Sequence, residues 1–161
     1  MKKIIIDGHN LIPKVPGINL SDIDDENKLI SVVGEYCRLA RVRAELFFDG
    51  APPGTATRAR HGLVHVHYVK QGTTADDAIL QYLRKEGNNA RNLLVVSSDH
   101  RVQMEARSLR AAVMTSDQFS IQMQRTFSGP VAAREMKEKI PSEDEVEEML
   151  KLMTAKRDEN S

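Results

Sequence analysis

Lys3-Ile4-Ile5-Ile6-Asp7-Gly8-His9-Asn10 is an apolar run that stops at an aspartate, followed by a glycine where the backbone can turn. A run of this shape forms a central parallel strand, buried on both faces of a sheet. The residue just past such a strand lies on the carboxyl edge, where open α/β sheets place their sites. The same punctuation recurs in Glu45-Leu46-Phe47-Phe48-Asp49-Gly50 and in Leu93-Leu94-Val95-Val96-Ser97-Ser98-Asp99. Three strands ending in aspartate gather three carboxylates on one rim, and such a rim reads as a metal site.

The segments between these strands alternate with them. Leu11–Gly17, with two prolines and a glycine, reads as a loop. Ser21 or Asp22 can cap a helix that opens with Asp24, Asp25 and Glu26 at its positive end. Leu29, Val33, Tyr36, Cys37 and Ala40 give that helix one apolar face. A strand over 44–48 completes a βαβ unit. Residues 50–62 read as a long irregular loop containing Arg58, Arg60 and His61. Two readings stand for it: a solvated linker, or a flexible basic arm that grips phosphates. Residues 63–69 read as an edge strand presenting His65 and His67 to solvent, without a third ligand that would make them a zinc site.

Thr74 and Asp77 resemble a capping box at the start of the next helix. Asp76 precedes Ile79, Leu80 and Leu83 by three, four and seven residues, which puts it on the buried face. It lies about 100° around the helix from Asp77. A carboxylate there needs a partner, and a metal shared with Asp7 supplies one. Asp99 is either a site residue or a helix N-cap, and Asp117 is a weaker candidate of the same ambiguous kind. A short strand over 111–115, a helical segment from Ser116 and a helix over 131–139 follow. Ser142 and Glu145 then cap an acidic helix carrying Val146, Met149, Leu150 and Met153. The organisation expected is one domain over 1–140 and an acidic helix with a frayed tail over 141–161.

Composition narrows the chemistry. With 161 residues the chain can bury a full core. Its one cysteine, Cys37, rules out a disulfide framework and suits a buried filler. No apolar run has the length of a membrane span or signal peptide, so a cytoplasmic location and no membrane partner are expected. Net charge is zero, but residues 142–161 carry seven acidic and three basic side chains, leaving +4 on the rest. That balance permits an anionic partner. Glycine-rich dinucleotide and NTP-phosphate motifs are absent, as is a nucleophile elbow. Oxygen ligands without thiolates favour Mg²⁺ or Mn²⁺, and such an ion favours phosphodiester hydrolysis.

Four segments together resemble the NYN domains: Ile6-Asp7-Gly8-His9-Asn10-Leu11-Ile12, Phe48-Asp49-Gly50, Thr74-Ala75-Asp76-Asp77 and Ser97-Ser98-Asp99. The likeness is strongest to the YacP-like branch, within the PIN-like nuclease superfamily, and covers about residues 1–127. It implies a three-layer α/β/α, Rossmann-like fold around a mainly parallel five-stranded sheet of order 3-2-1-4-5. It also implies an endoribonuclease dependent on Mg²⁺ or Mn²⁺ that leaves a 5′-phosphate and acts in RNA processing or decay, in some cases on the ribosome. By this resemblance Asp7, Asp76 and Asp99 hold metal, Asn10 positions the scissile phosphate, and Asp49 matches a further acidic position. Ser98, Arg58, Arg60, Lys70 and Arg101 are the expected RNA contacts. An RNA- or ribosome-binding adaptor without turnover, or a structure-specific DNA nuclease, are the alternatives.

Overall fold

The computed structural model describes residues 2–139 and 150–151. Its centre is β1 (Lys3–Asp7), whose Ile4, Ile5 and Ile6 are fully buried from both sides. Parallel neighbours flank it: β2 (Arg43–Ala51) on one side and β5 (Leu93–Val96) on the other. β4 (Val64–Lys70) pairs parallel with β2, and β6 (Ala112–Met114) pairs parallel with β5. The resulting order is β3-β4-β2-β1-β5-β6. The five strands expected from the sequence therefore stand in the expected order.

The sixth strand is a correction. Arg58–His61, expected as irregular loop, is β3, an antiparallel partner of β4 at the sheet edge. It also settles how β4 comes to run parallel to β2 without a crossover helix. A parallel return must travel back along the sheet, and β3 is that return. Two further corrections concern the early chain. The segment after β1 is not loop: α1 (Gly8–Leu11) begins at once and a 3₁₀ turn (Ile12–Lys14) follows, burying Leu11 and Ile12. α2 (Asp25–Ala40) starts later than Ser21 or Asp22 would set it, with Asp24 at the cap position.

Alternation along the strands sorts the side chains onto two faces. Ile4, Ile6, Leu46, Phe48, Val64 and Val66 pack under α2 and α5 (Ser116–Phe127). Ile5, Phe47, Leu93 and Val95 pack under α3 (Ala75–Glu86) and α4 (His100–Ser108). Cys37 is fully buried on α2, and burial pushes its thiol up to about 12, so it is an inert filler as expected.

Residues 1–127 form one compact unit, and residues 128–161 form another that contains α6 (Pro130–Lys139). The expected Ser142–Glu145 cap and most of the acidic helix's apolar stripe lie outside the described residues. Among the described residues, no helix is long and apolar enough to cross a membrane.

Candidate active site

Each carboxylate of the expected set is delivered by the end of a regular element. Asp7 is the last residue of β1 and caps α1, accepting from the Asn10 N–H at 3.4 Å. Asp99 follows β5 and caps α4, accepting from the Val102 N–H at 3.1 Å. Asp76 stands in the first turn of α3, whose cap is Thr74, accepting from the Asp77 N–H at 3.1 Å. Asp76 is half-buried, rather than buried as its spacing implies.

These ends converge. Asp76 is within hydrogen-bonding reach of Asp7 on one side and of Asp99 on the other. Burial and the neighbouring Asp76 carboxyl raise Asp7 to about 7, while Asp7 keeps only 8% exposure. Burial, with the Asp99 charge, raises Asp76 as well, against the lowering pull of Arg101. An N-cap bond is worth about 1 kcal/mol. Two like charges about 4 Å apart repel by about 4 kcal/mol at an effective dielectric near 20. Capping therefore does not by itself account for placing three carboxylates together.

Among the described residues no three acid, histidine or cysteine side chains are grouped so as to hold a metal ion. The donor set nevertheless fits Mg²⁺ or Mn²⁺ in kind: hard carboxylate oxygens on a polar rim, with no thiolate among them.

Asn10 is fixed with a defined polarity. Its Oδ1 accepts from the Ser98 backbone N–H at 3.1 Å and from the Ser116 hydroxyl. A backbone N–H can only donate, so the oxygen must face it and the Asn10 amide N–H₂ is left as a donor. The Ser98 hydroxyl is in turn taken up by the Ser116 N–H at 3.2 Å. Ser98 thus braces Asn10.

Asp49 differs from the other three acids. A β-bulge between Phe48 and Ala51, with Gly50 at φ +71°, re-aims it. Its Oδ1 meets His9 Nδ1 at 2.8 Å and its Oδ2 accepts from the Ala75 N–H at 3.4 Å. His9 Nε2 meets Glu26 at 2.8 Å. Burial pulls His9 down, but the two carboxylates outweigh it and the net shift is upward. Asp49 is thereby committed to a His9 bridge at the margin of the cluster, and its charge still reaches Asp7.

Of the other sequence candidates, Arg101 stays beside the cluster, its charge acting on Asp76, and the rest scatter. Arg101 is bound to Asp77 at 2.6 Å. Asp117 pairs with Lys14 at 3.4 Å, and Thr115 rather than Asp117 caps α5, accepting from the Gln118 N–H. Lys70 ends β4, exposed and without an ion pair among the described residues. Arg58 and Arg60 lie on the ordered β3, so a flexible arm is not what they form. The His65 and His67 pair is not simply solvent-facing: both rings bond Glu45, a 7%-exposed carboxylate of β2.

His9, Glu26 and Ser116 escape sequence reasoning. The available signals were a histidine two residues past the first acid, an acid in a helix's first turn, and a serine opening a helix. Each already had a local explanation.

The YacP-like NYN domain family matches residues 4–159 of this chain. Among solved structures, that of Rae1 (YacP) from Bacillus subtilis superposes with a TM-score of 0.67 at 22% identity, covering 98% of this chain and 95% of that one. The W164L mutant of the same protein gives 0.64 at 23% identity, with both chains covered in full. Neither identity carries more than the fold. No curated protein matches by sequence.

Proposed function

The chain belongs to the YacP-like NYN domain family, and on that premise we propose that it is a metal-dependent endoribonuclease hydrolysing phosphodiester bonds in RNA processing or decay. NYN domains are generally nuclease-like. The observation that carries the finer reading is the contact chain Asp7–Asp76–Asp99 at the carboxyl edge of β1 and β5.

Asp7 and Asp99 would hold Mg²⁺ or Mn²⁺, with Asp76 between them as a further ligand or as the acceptor that orients the attacking water. Such an ion, when bound, would lower the pKa of a water and neutralise charge on the phosphate. Asn10, its oxygen occupied, offers its amide hydrogens to a non-bridging phosphate oxygen. The water oxygen bonds to phosphorus as the P–O3′ bond breaks, which leaves a 3′-hydroxyl and a 5′-phosphate.

The test is Mn²⁺ binding by calorimetry, with cleavage of a labelled single-stranded RNA alongside, for wild type and the double variant Asp7→Asn/Asp99→Asn. Asparagine caps helices as well as aspartate does, so the fold is kept while the ligand charge is removed. Loss of both binding and cleavage is expected. Cleavage that survives in the variant overturns the proposal, and a DNA strand of the same sequence reports whether the 2′-hydroxyl is read.

A further inference from the structure

On the sheet face that carries Asp7, but along the opposite flank of α3, lies a groove of about 730 Å³. It follows from the topology. The chain returns from β2 to β4 through β3 instead of a helix, so on this face, among the described residues, β4 and β3 are bordered by the side of α3 that carries Gln81, Tyr82 and Lys85.

Strand register orders its lining. Asp7, Phe47, His67 and Arg58 form one row across β1, β2, β4 and β3, and Ile5, Glu45, His65 and Arg60 form the next. At about 4.8 Å per strand, Arg58 stands roughly 14 Å from Asp7 along the sheet.

The charges are sorted in a way that favours an anion. Glu45 is taken up by His65 and His67, and Glu86 pairs with Lys3 at 3.6 Å. Arg58 and Lys85 carry no ion pair among the described residues, and the Arg60 guanidinium reaches only the Gly62 carbonyl, at 3.4 Å. Beside these cations lies a planar surface. The His67 ring stacks on Phe47 at 4.3 Å and 6°, Tyr82 stands edge-on to both, and His67 keeps 17% of its side chain exposed. Unpaired guanidinium groups next to an aromatic face are the equipment of single-stranded nucleic-acid binding. The volume lies within the usual range for a small-molecule pocket.

We propose that this groove holds a nucleotide of the substrate RNA strand away from the scissile bond, with Arg58, Arg60 and Lys85 on its phosphates and its base on the His67–Phe47 stack. The inference rests on the ribonuclease reading above.

Binding of a short labelled single-stranded RNA, followed by anisotropy over a salt series in the Asp7→Asn/Asp99→Asn background, tests it apart from that reading. Adding Arg58→Ala/Arg60→Ala weakens binding about tenfold or more and lowers the slope of log K against log salt by about 1.4, two contacts at about 0.7 each. Arg58→Lys/Arg60→Lys keeps the slope. His67→Ala costs about tenfold and His67→Phe, which preserves a stacking face, does not. If the parent binds RNA and the alanine pair changes neither affinity nor slope, the groove proposal is overturned and the ribonuclease reading stands. If neither this parent nor the metal-free wild type binds RNA, both are overturned.

Discussion

Asp7 is where the chain concentrates its electrostatic cost. Its carboxyl, ordinarily near 3.8, is raised to about 7 by burial and by Asp76. Between those values the folded protein keeps a proton that the unfolded chain has released, so its stability from this group is greatest at low pH and is lost as pH rises through about 7. Melting of the metal-free protein should therefore rise as pH falls from about 8 to about 5, as far as this residue sets it. Mg²⁺ should raise the melting temperature at pH 8 and much less at pH 5. Asp7→Asn should flatten the pH dependence and stabilise the metal-free protein by about 1–2 kcal/mol while abolishing cleavage, a trade expected where a site is strained for function. Melts with and without Mg²⁺ read all of this. Gly8 beside it is constrained by space. A Cβ there would lie 2.3 Å from the fully buried Phe48 ring and 2.9 Å from the Phe47 carbonyl oxygen. Gly8→Ala should cost about 1–3 kcal/mol in denaturant titration.

At the scale of elements, two termini make separate claims. α2 ends on Arg41 in the left-handed conformation, φ 56°, with its N–H on the Cys37 carbonyl. Glycine adopts that geometry without the side-chain clash, so Arg41→Gly should stabilise by about 0.5–1 kcal/mol, measurable as an upward shift in melting temperature. α3 starts on the Thr74 cap, two residues before Asp76 in the first turn. Thr74→Ala should cost about 1 kcal/mol and lower the cleavage rate at temperatures where the fold is intact, because the first turn aims Asp76. Elements also mark where the sequence is legible. β1, β2 and β5 announce themselves through apolar runs closed by aspartate; of the acids they deliver, Asp7 and Asp99 each come within reach of Asp76, whereas Asp49 is taken up by His9. β3 does not, because Arg-Ala-Arg-His has neither an apolar alternation nor a turn pair. Its strand character comes from pairing with β4. Glu45 was legible only as part of a strand, since the histidines that occupy it lie 20 and 22 residues away. His9 and Glu26 were hidden in the same way, 17 residues apart and each with a local reading.

For the whole molecule, both apolar clusters and all the acids of the site fall within residues 1–127. A chain ending at Phe127 should keep its Mn²⁺ affinity within about twofold, because every acid of the site lies in that unit; calorimetry checks it. The edge of that sheet has a further consequence. Among the described residues nothing pairs with the outer side of β3, which invites a strand from another molecule. Its brevity and its exposed Arg58, Arg60 and His61 discourage the offer. The same two arginines that would meet RNA are thus gatekeepers of solubility. Removing their charge exposes a template for edge-to-edge growth, and the chain's zero net charge supplies no general repulsion to oppose it.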